Sequence, residues 1–283
     1  MNPLAAAARA GLRRGVIEFK QSFITAQDLV GLVVPNLILI IVMIFMRGST
    51  VGTTGFSLGT MSLSGVLGMS VAFSGMMTVM QHLTIEREDG TLLRAKALPN
   101  GMFGYLVGKV VVVSGLTVVG LLAILIPGLF LFDGLAFDTV GSWLTLIWVL
   151  VLGLMATMPI GAVLGSMFSN PRNAGVTMLP VMGLVAISGI FVPLTEMASW
   201  LQPIGQLFPI YWLGLGMRSA LLPDQLVVVE IGQSWRHLET VGVLGAWAIA
   251  GFIVAPIILR RMARRESGAA LAQRREKALQ RIT

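Results

Sequence analysis

The 283-residue chain contains no cysteine. That excludes a disulfide framework, a thiolate metal site and a cysteine nucleophile. Charge is nearly as scarce. Asp, Glu, Lys and Arg together make up 12% of the residues, about half the share of a soluble globular domain. Nothing matches G-x-x-x-x-G-K-[ST], so the phosphate cradle of a P-loop ATPase is missing. No set of residues reads as a metal site, and neither an internal repeat nor a low-complexity linker divides the chain. It reads as a single domain over 1–283.

What is present is apolar sequence. Hydrophobic residues make up 55% and the mean hydropathy is +0.86. They fall in long blocks between short polar stretches, so the solvent for most of the chain is lipid. The 33 glycines suit close helix packing and the 17 methionines suit adaptable apolar surfaces. About 20 apolar residues cross the hydrocarbon core as a helix. Six segments qualify: Val30–Met46, Met61–Met80, Tyr105–Phe132, Trp143–Phe168, Val176–Val192 and Val241–Leu259. The fold class expected is an all-α membrane protein with six spans.

Lys and Arg set the orientation. With both termini inside, 17 of the 20 basic residues lie on inside segments, and only Arg47, Arg218 and Arg236 lie outside. The net charge of +7 is therefore a cytoplasmic surface pattern, concentrated in the tail 260–283. No nucleic-acid reading motif accompanies it, so nucleic acid is not expected as a partner. The first apolar run starts only near residue 29, too late for a cleavable leader. Before it, Leu12, Val16, Ile17 and Phe23 recur at helical spacing among Arg9, Arg13, Arg14 and Lys20. This reads as an amphipathic helix in the cytoplasmic interface, in contact with membrane lipids.

Two segments are neither span nor ordinary loop. The stretch 82–104 carries Glu86, Arg87, Glu88, Asp89, Arg94 and Lys96 with Leu92, Leu93 and Leu98 between them, then the turn signal Pro99-Asn100-Gly101. Both a solvated loop and a partner-docking helix fit this pattern. The second runs from Pro193 through Trp200, Pro203, Phe208 and Pro209 to Tyr211 and Trp212. It is too apolar for a wet loop and too broken by proline for a span. Two short re-entrant helices fit, with the aromatics partly wetted at the outer interface. Residues 222–240 read as ordinary extracellular polar sequence.

Ion-coupled carriers keep titratable groups inside the bilayer. The six spans hold no acidic residue, and Lys109 lies close enough to an end to snorkel. A secondary transporter is therefore disfavoured. Gly55-Phe56-Ser57-Leu58-Gly59 matches the hydrolase G-x-S-x-G elbow, but it lacks the strand-to-helix context and an oriented histidine, so a membrane enzyme is disfavoured as well. Polar span residues that suit a translocation surface are Asn36, Ser70, Ser74, Thr78 and Gln81. Gly104-x-x-x-Gly108 and Gly161-x-x-x-Gly165 allow close helix contact, within the chain or across a dimer.

Glu86-Arg87-Glu88-Asp89-Gly90-Thr91-Leu92-Leu93, then Pro99, then Tyr105-Leu106-Val107-Gly108-Lys109 resembles the E-R-E-x-G-T-L…P…Y-x-x-G-K stretch of ABC-2-type transporter permeases. Drug-resistance and polysaccharide or lipid exporters belong to that family. The resemblance implies that Glu86–Ala97 is a coupling helix docking into a separate ATPase subunit through Glu86, Arg87, Glu88, Gly90, Thr91, Leu92, Leu93 and Arg94. It implies that the N-terminal helix is an elbow, and that Trp200, Pro203, Pro209, Tyr211 and Trp212 belong to a re-entrant hairpin over the exit. It also implies a second permease subunit, ATP and Mg held by the partner rather than by this chain, and export across a prokaryotic cell membrane. The cargo stays open among drug, lipid and glycan.

Overall fold

The computed structural model describes residues 2–49, 57–136, 138–167 and 171–265. The basic tail beyond Arg265 and the Gly55-Phe56 half of the hydrolase-like motif lie outside them. The described residues are helical, with no strand among them. In chain order the helices are α1 (Pro3–Gln21), α2 (Ala26–Met46), α3 (Leu58–Phe73), α4 (Val79–Glu88), α5 (Thr91–Ala97), α6 (Gly101–Leu131), α7 (Val140–Met167), α8 (Pro171–Ala186), α9 (Leu201–Leu207), α10 (Pro209–Leu221) and α11 (His237–Arg265). A π-helical turn, Ser74–Thr78, joins α3 to α4, so 58–88 is one continuous rod.

Five described helical stretches are long and apolar enough to cross a membrane: Leu29–Met46, Leu58–Glu88, Gly101–Leu131, Val140–Met167 and His237–Met262. They correspond to five of the six expected segments. The remaining one, Val176–Val192, falls on α8, which has 16 residues and stops at Ala186. A turn follows, with Gly189 at φ 70°. The apolar run outlasts the helix because the chain bends to pack Ile190 and Leu194 into the core.

Glycines set how closely the helices approach. A Cβ on Gly11 would overlap the Gly104 carbonyl, and one on Gly15 would sit 2.6 Å from the carbonyl oxygen of Gly108. The Gly104-x-x-x-Gly108 face is thus used within the chain, against a matching Gly11-x-x-x-Gly15 face on α1. Phe19 lies against Gly115, so α1 runs alongside α6 in parallel over three turns. Its course is set by that helix as well as by its apolar outer face, where Leu4, Leu12, Val16 and Ile17 are exposed. Gly161 and Gly165 likewise meet the backbone of the rod at Gly75–Met76 and Met80. There the small residues admit backbone where lipid gives no hydrophobic drive.

The other end of the bundle is filled by α10. Every residue of α10 except Ser219 is buried, and it packs on α3, α7 and α11. Tyr211 and Trp212 are 0% and 3% exposed, which corrects the expectation of wetted interfacial rings. The reason is that α3 and α7 present Gly68 and Gly153 to α10, and the space they leave takes Gly214 and the Leu213 side chain. Trp212 still satisfies its indole, donating to the Gln206 carbonyl at 2.6 Å.

Glu230 is a second correction, since 222–240 was read as ordinary extracellular polar sequence, and its partner is Arg218, which had only been counted among the outside basic residues. Arg218 and Glu230 are 1% and 3% exposed. The guanidinium donates to both carboxylate oxygens, at 2.5 and 3.2 Å, and to the Gly189 carbonyl at 3.1 Å. Burying a charge costs less when partners replace its lost water, and this bidentate pair with the Gly189 carbonyl does so.

Two predictions follow from the packing. Replacing Gly15 with Leu should lower the thermal unfolding midpoint in detergent and speed proteolysis within α1, at an overpacking cost of about 1–3 kcal/mol. Gly245→Ala, where an added Cβ meets nothing within 4 Å, should leave the midpoint unchanged or raise it. For the ion pair, Arg218→Met should destabilise by about 3–5 kcal/mol by stranding Glu230. Adding Glu230→Leu should recover most of that loss in the same melting assay, as it would not if each residue acted alone.

Candidate functional site at the α5 end of the bundle

The segment singled out for docking is built as two pieces around a glycine. The rod ends at Glu88, Gly90 takes φ 81° and α5 starts at Thr91. That left-handed backbone suits glycine, which has no Cβ to clash. Asp89 accepts the Thr91 backbone N–H at 2.7 Å, and Arg94 donates to the Thr91 hydroxyl at 2.9 Å. A second left-handed residue, Asn100 at φ 53°, turns the chain into α6. The single coupling helix expected over Glu86–Ala97 is instead the end of a membrane-length rod, a sharp turn at Gly90 and a helix of 7 residues, because the left-handed glycine breaks it.

These residues face different ways. Leu92 and Ala95 are buried in a cluster with Leu83, Tyr105, Ala162, Leu259 and Met262, which fastens α5 to α4, α6, α7 and α11. Gly90 and Thr91 are buried, while Leu93 and Glu88 are half-buried. Arg87 reaches the Gly165 and Ser166 carbonyls of α7 at 3.4 and 3.3 Å. The outward surface is Arg94, Lys96, Pro99, Asn100 and Leu98, the last of these 65% exposed.

Glu86 does not face outward. It is 7% exposed and lies in an ion network that sequence reasoning missed. Lys109 of α6, itself 7% exposed, donates to Glu86 Oε1 at 2.6 Å and to Glu18 of α1 at 2.7 Å. The Tyr105 hydroxyl donates to Glu86 Oε2 at 2.6 Å. Arg14 pairs with Glu18 at 2.6 Å and approaches Glu86 at 3.6 Å. Lys109 therefore does not snorkel to water; two carboxylates hold it inside. The signal for this lay in the spacing: 105 and 109 share one helix face, as do 14 and 18. Nothing in one dimension, however, says that those faces meet.

Burial works against the charge of Glu18, but hydrogen bonds and attraction from Lys109 and Arg14 outweigh it. They hold the carboxyl below its usual value of 4.5. A depressed folded pKa stabilises above the unfolded value and is lost as pH falls through the folded one. The Glu18 contribution to holding α1 should thus be constant from neutral pH down to about 5 and fade only in stronger acid. Amide exchange of α1 against pH checks this, and Glu18→Gln should remove that part of the acid dependence.

The polar span residues do not gather into one open surface. Asn36 donates to the Leu32 carbonyl of its own helix at 2.8 Å. Ser74 meets Thr117 of α6 at 2.5 Å, and Thr117 itself donates to the Val113 carbonyl at 2.7 Å. Ser70 and Thr78 are half-buried on either side of Ser74, and Gln81 is exposed. At the opposite end Trp200 and Pro203 are exposed, Pro209 opens α10, and the Arg236 guanidinium lies 4.7 Å from the Trp212 ring centre. Ser57, the would-be nucleophile, caps α3 by accepting the Gly59 N–H at 3.1 Å and donates to the Arg47 carbonyl at 2.9 Å. His237 rests edge-on against Trp148. Among the described residues no group of three or more His, Cys, Asp or Glu side chains is placed to hold a metal ion.

Comparison with known proteins accords with this architecture. The family model described as "ABC-2 family transporter protein" matches residues 48–257, most of the chain, including the rod, α5 and the buried α10. No curated protein matches. The chain is a multi-pass helical membrane protein that belongs to the ABC-2 family of transporter proteins.

Proposed function

We propose that the chain is the permease subunit of an ATP-binding cassette exporter, driven by a separate ATPase subunit and paired with a second permease, identical or related. The observation that carries this reading is the α4–α5–α6 connection. Its outward face combines Arg94 and Lys96 with the exposed Leu98, while its inward face is bolted to α1 and α6 by Glu86 and Lys109. A surface tied to its neighbours by ion pairs behind and open in front suits a lever pushed by a partner. The chain has no phosphate loop of its own, so ATP and Mg belong to that partner, and this chain is not itself an enzyme.

In this reading the α5 end is cytoplasmic, with both termini, in the cell membrane of a prokaryote. The helix α1 is the elbow, α8 with the turn after it is the fifth of six spans, and α9 and α10 form the re-entrant hairpin over the exit. Apolar spans whose buried charges are held in ion pairs suit an amphipathic, lipid-like or drug-like cargo or a glycan, with Asn36, Ser70, Ser74, Thr78 and Gln81 as separate polar contacts for it.

The test is co-expression with the P-loop ATPase of a neighbouring reading frame. The two should co-purify, and Leu98→Asp combined with Arg94→Glu should cut association at least tenfold, about 1.4 kcal/mol. Transport by the chain alone on a proton gradient would overturn the assignment.

A further inference from the structure

The polar contacts between the rod and α6 form a register. Ser74 meets Thr117, His82 meets Lys109 at 3.4 Å, and Glu86 meets Tyr105. Each step towards the α5 end moves the contact one or two turns down α6, so a polar seam runs from the middle of the rod to its end. The two halves of the seam differ. Around α3 and the π turn the rod packs directly on α6, whereas the backbones of α4 and α6 draw apart. Long charged side chains fill that wedge: Glu86 and His82 from α4, Lys109 and Tyr105 from α6, and Arg14 and Glu18 from α1. The rod changes helical type where the two regimes meet, at Ser74–Thr78. A π turn interrupts the regular hydrogen-bond ladder and recurs at functional sites.

The two halves of the rod also serve different neighbours. The half α3 packs mainly on α10, while α4 packs on α7 and α8 and leads into α5. We propose that Lys109 is a positioning residue: it latches α4 to α6 and α1, and the latch is released and remade in each transport cycle as α4 swings about the π turn. The proposal rests on the permease reading above and adds to it where the rod bends and which side chain holds the resting position. Alternate states need a discrete contact that can be exchanged. One ammonium shared by carboxylates on two other helices is such a contact, because losing either partner leaves the other to hold it.

The lack of native cysteine makes the test clean. Nitroxide labels placed at Ile85 on α4 and Val110 on α6, which are 55% and 50% exposed and outside the network, report the wedge through their electron–electron distance. In the full chain without nucleotide, Lys109→Met should lengthen that distance relative to the unsubstituted chain. Glu86→Gln, a milder change that keeps the side-chain shape, should shift part of the population the same way, and Lys109→Arg should keep the original distance. An unchanged distance in both Lys109→Met and Glu86→Gln, even with a lowered melting point, would show Lys109 to be a structural contact only and overturn the proposal. In the complex with its ATPase, trapping with ATP and vanadate should produce the same lengthening in the unsubstituted network; a fixed distance there also overturns it. Failure of any ATPase to bind counts instead against the permease reading, and the nucleotide-free arm still decides the latch.

Discussion

The structure at the α5 end depends on one buried ammonium. Lys109 sits between Glu86 of the rod and Glu18 of α1, so three elements distant in sequence are held by a single group. Removing one member of a buried ion pair typically costs about 3–5 kcal/mol, because the abandoned charge has no water to return to. That penalty makes the joint selective: α1 and α4 belong beside this turn of α6 and no other. Tyr105 and Arg14 complete the shell and leave Glu86 well supplied with donors.

Around that joint the close packing is made by what is absent from the side chains. Gly11 and Gly15 meet Gly104 and Gly108, Gly161 and Gly165 meet the rod, and Gly68 meets Gly214. In lipid these approaches gain dispersion contacts rather than hydrophobic burial, and a single methyl in the wrong place ends them. At the far end the same device lets α10 enter the bundle, with Arg218 tied to Glu230 and Gly189 where no water reaches. A charged network lies at one end, a buried pair at the other and a π turn between them.

Much of this was legible in the chain. Four candidate spans end within about four residues of where hydropathy places them, since a bilayer demands a fixed apolar length, while the rod runs on past Met80 to Glu88. The turn at Asn100-Gly101 was readable because left-handed backbone favours a short list of residues, whereas the break at Gly90 inside the expected coupling helix was not read. The inward turn of Glu86, the burial of Tyr211, Trp212, Arg218 and Glu230, and the partner of Gly104-x-x-x-Gly108 were not readable. Each depends on which helix stands alongside, and composition is silent on that.

Local chemistry alone placed this chain in lipid, left it without a phosphate-loop motif and set one short polar segment apart from the spans around it. These follow from local quantities: apolar length, a missing phosphate loop and turn chemistry. The inward turn of Glu86 to Lys109, the outward turn of Arg94, Lys96 and Leu98, and the place of the apolar stretch after Pro209 in the core came with the assembled fold alone. A charge can be buried only where another element brings its counter-charge, and that is a property of the assembled fold.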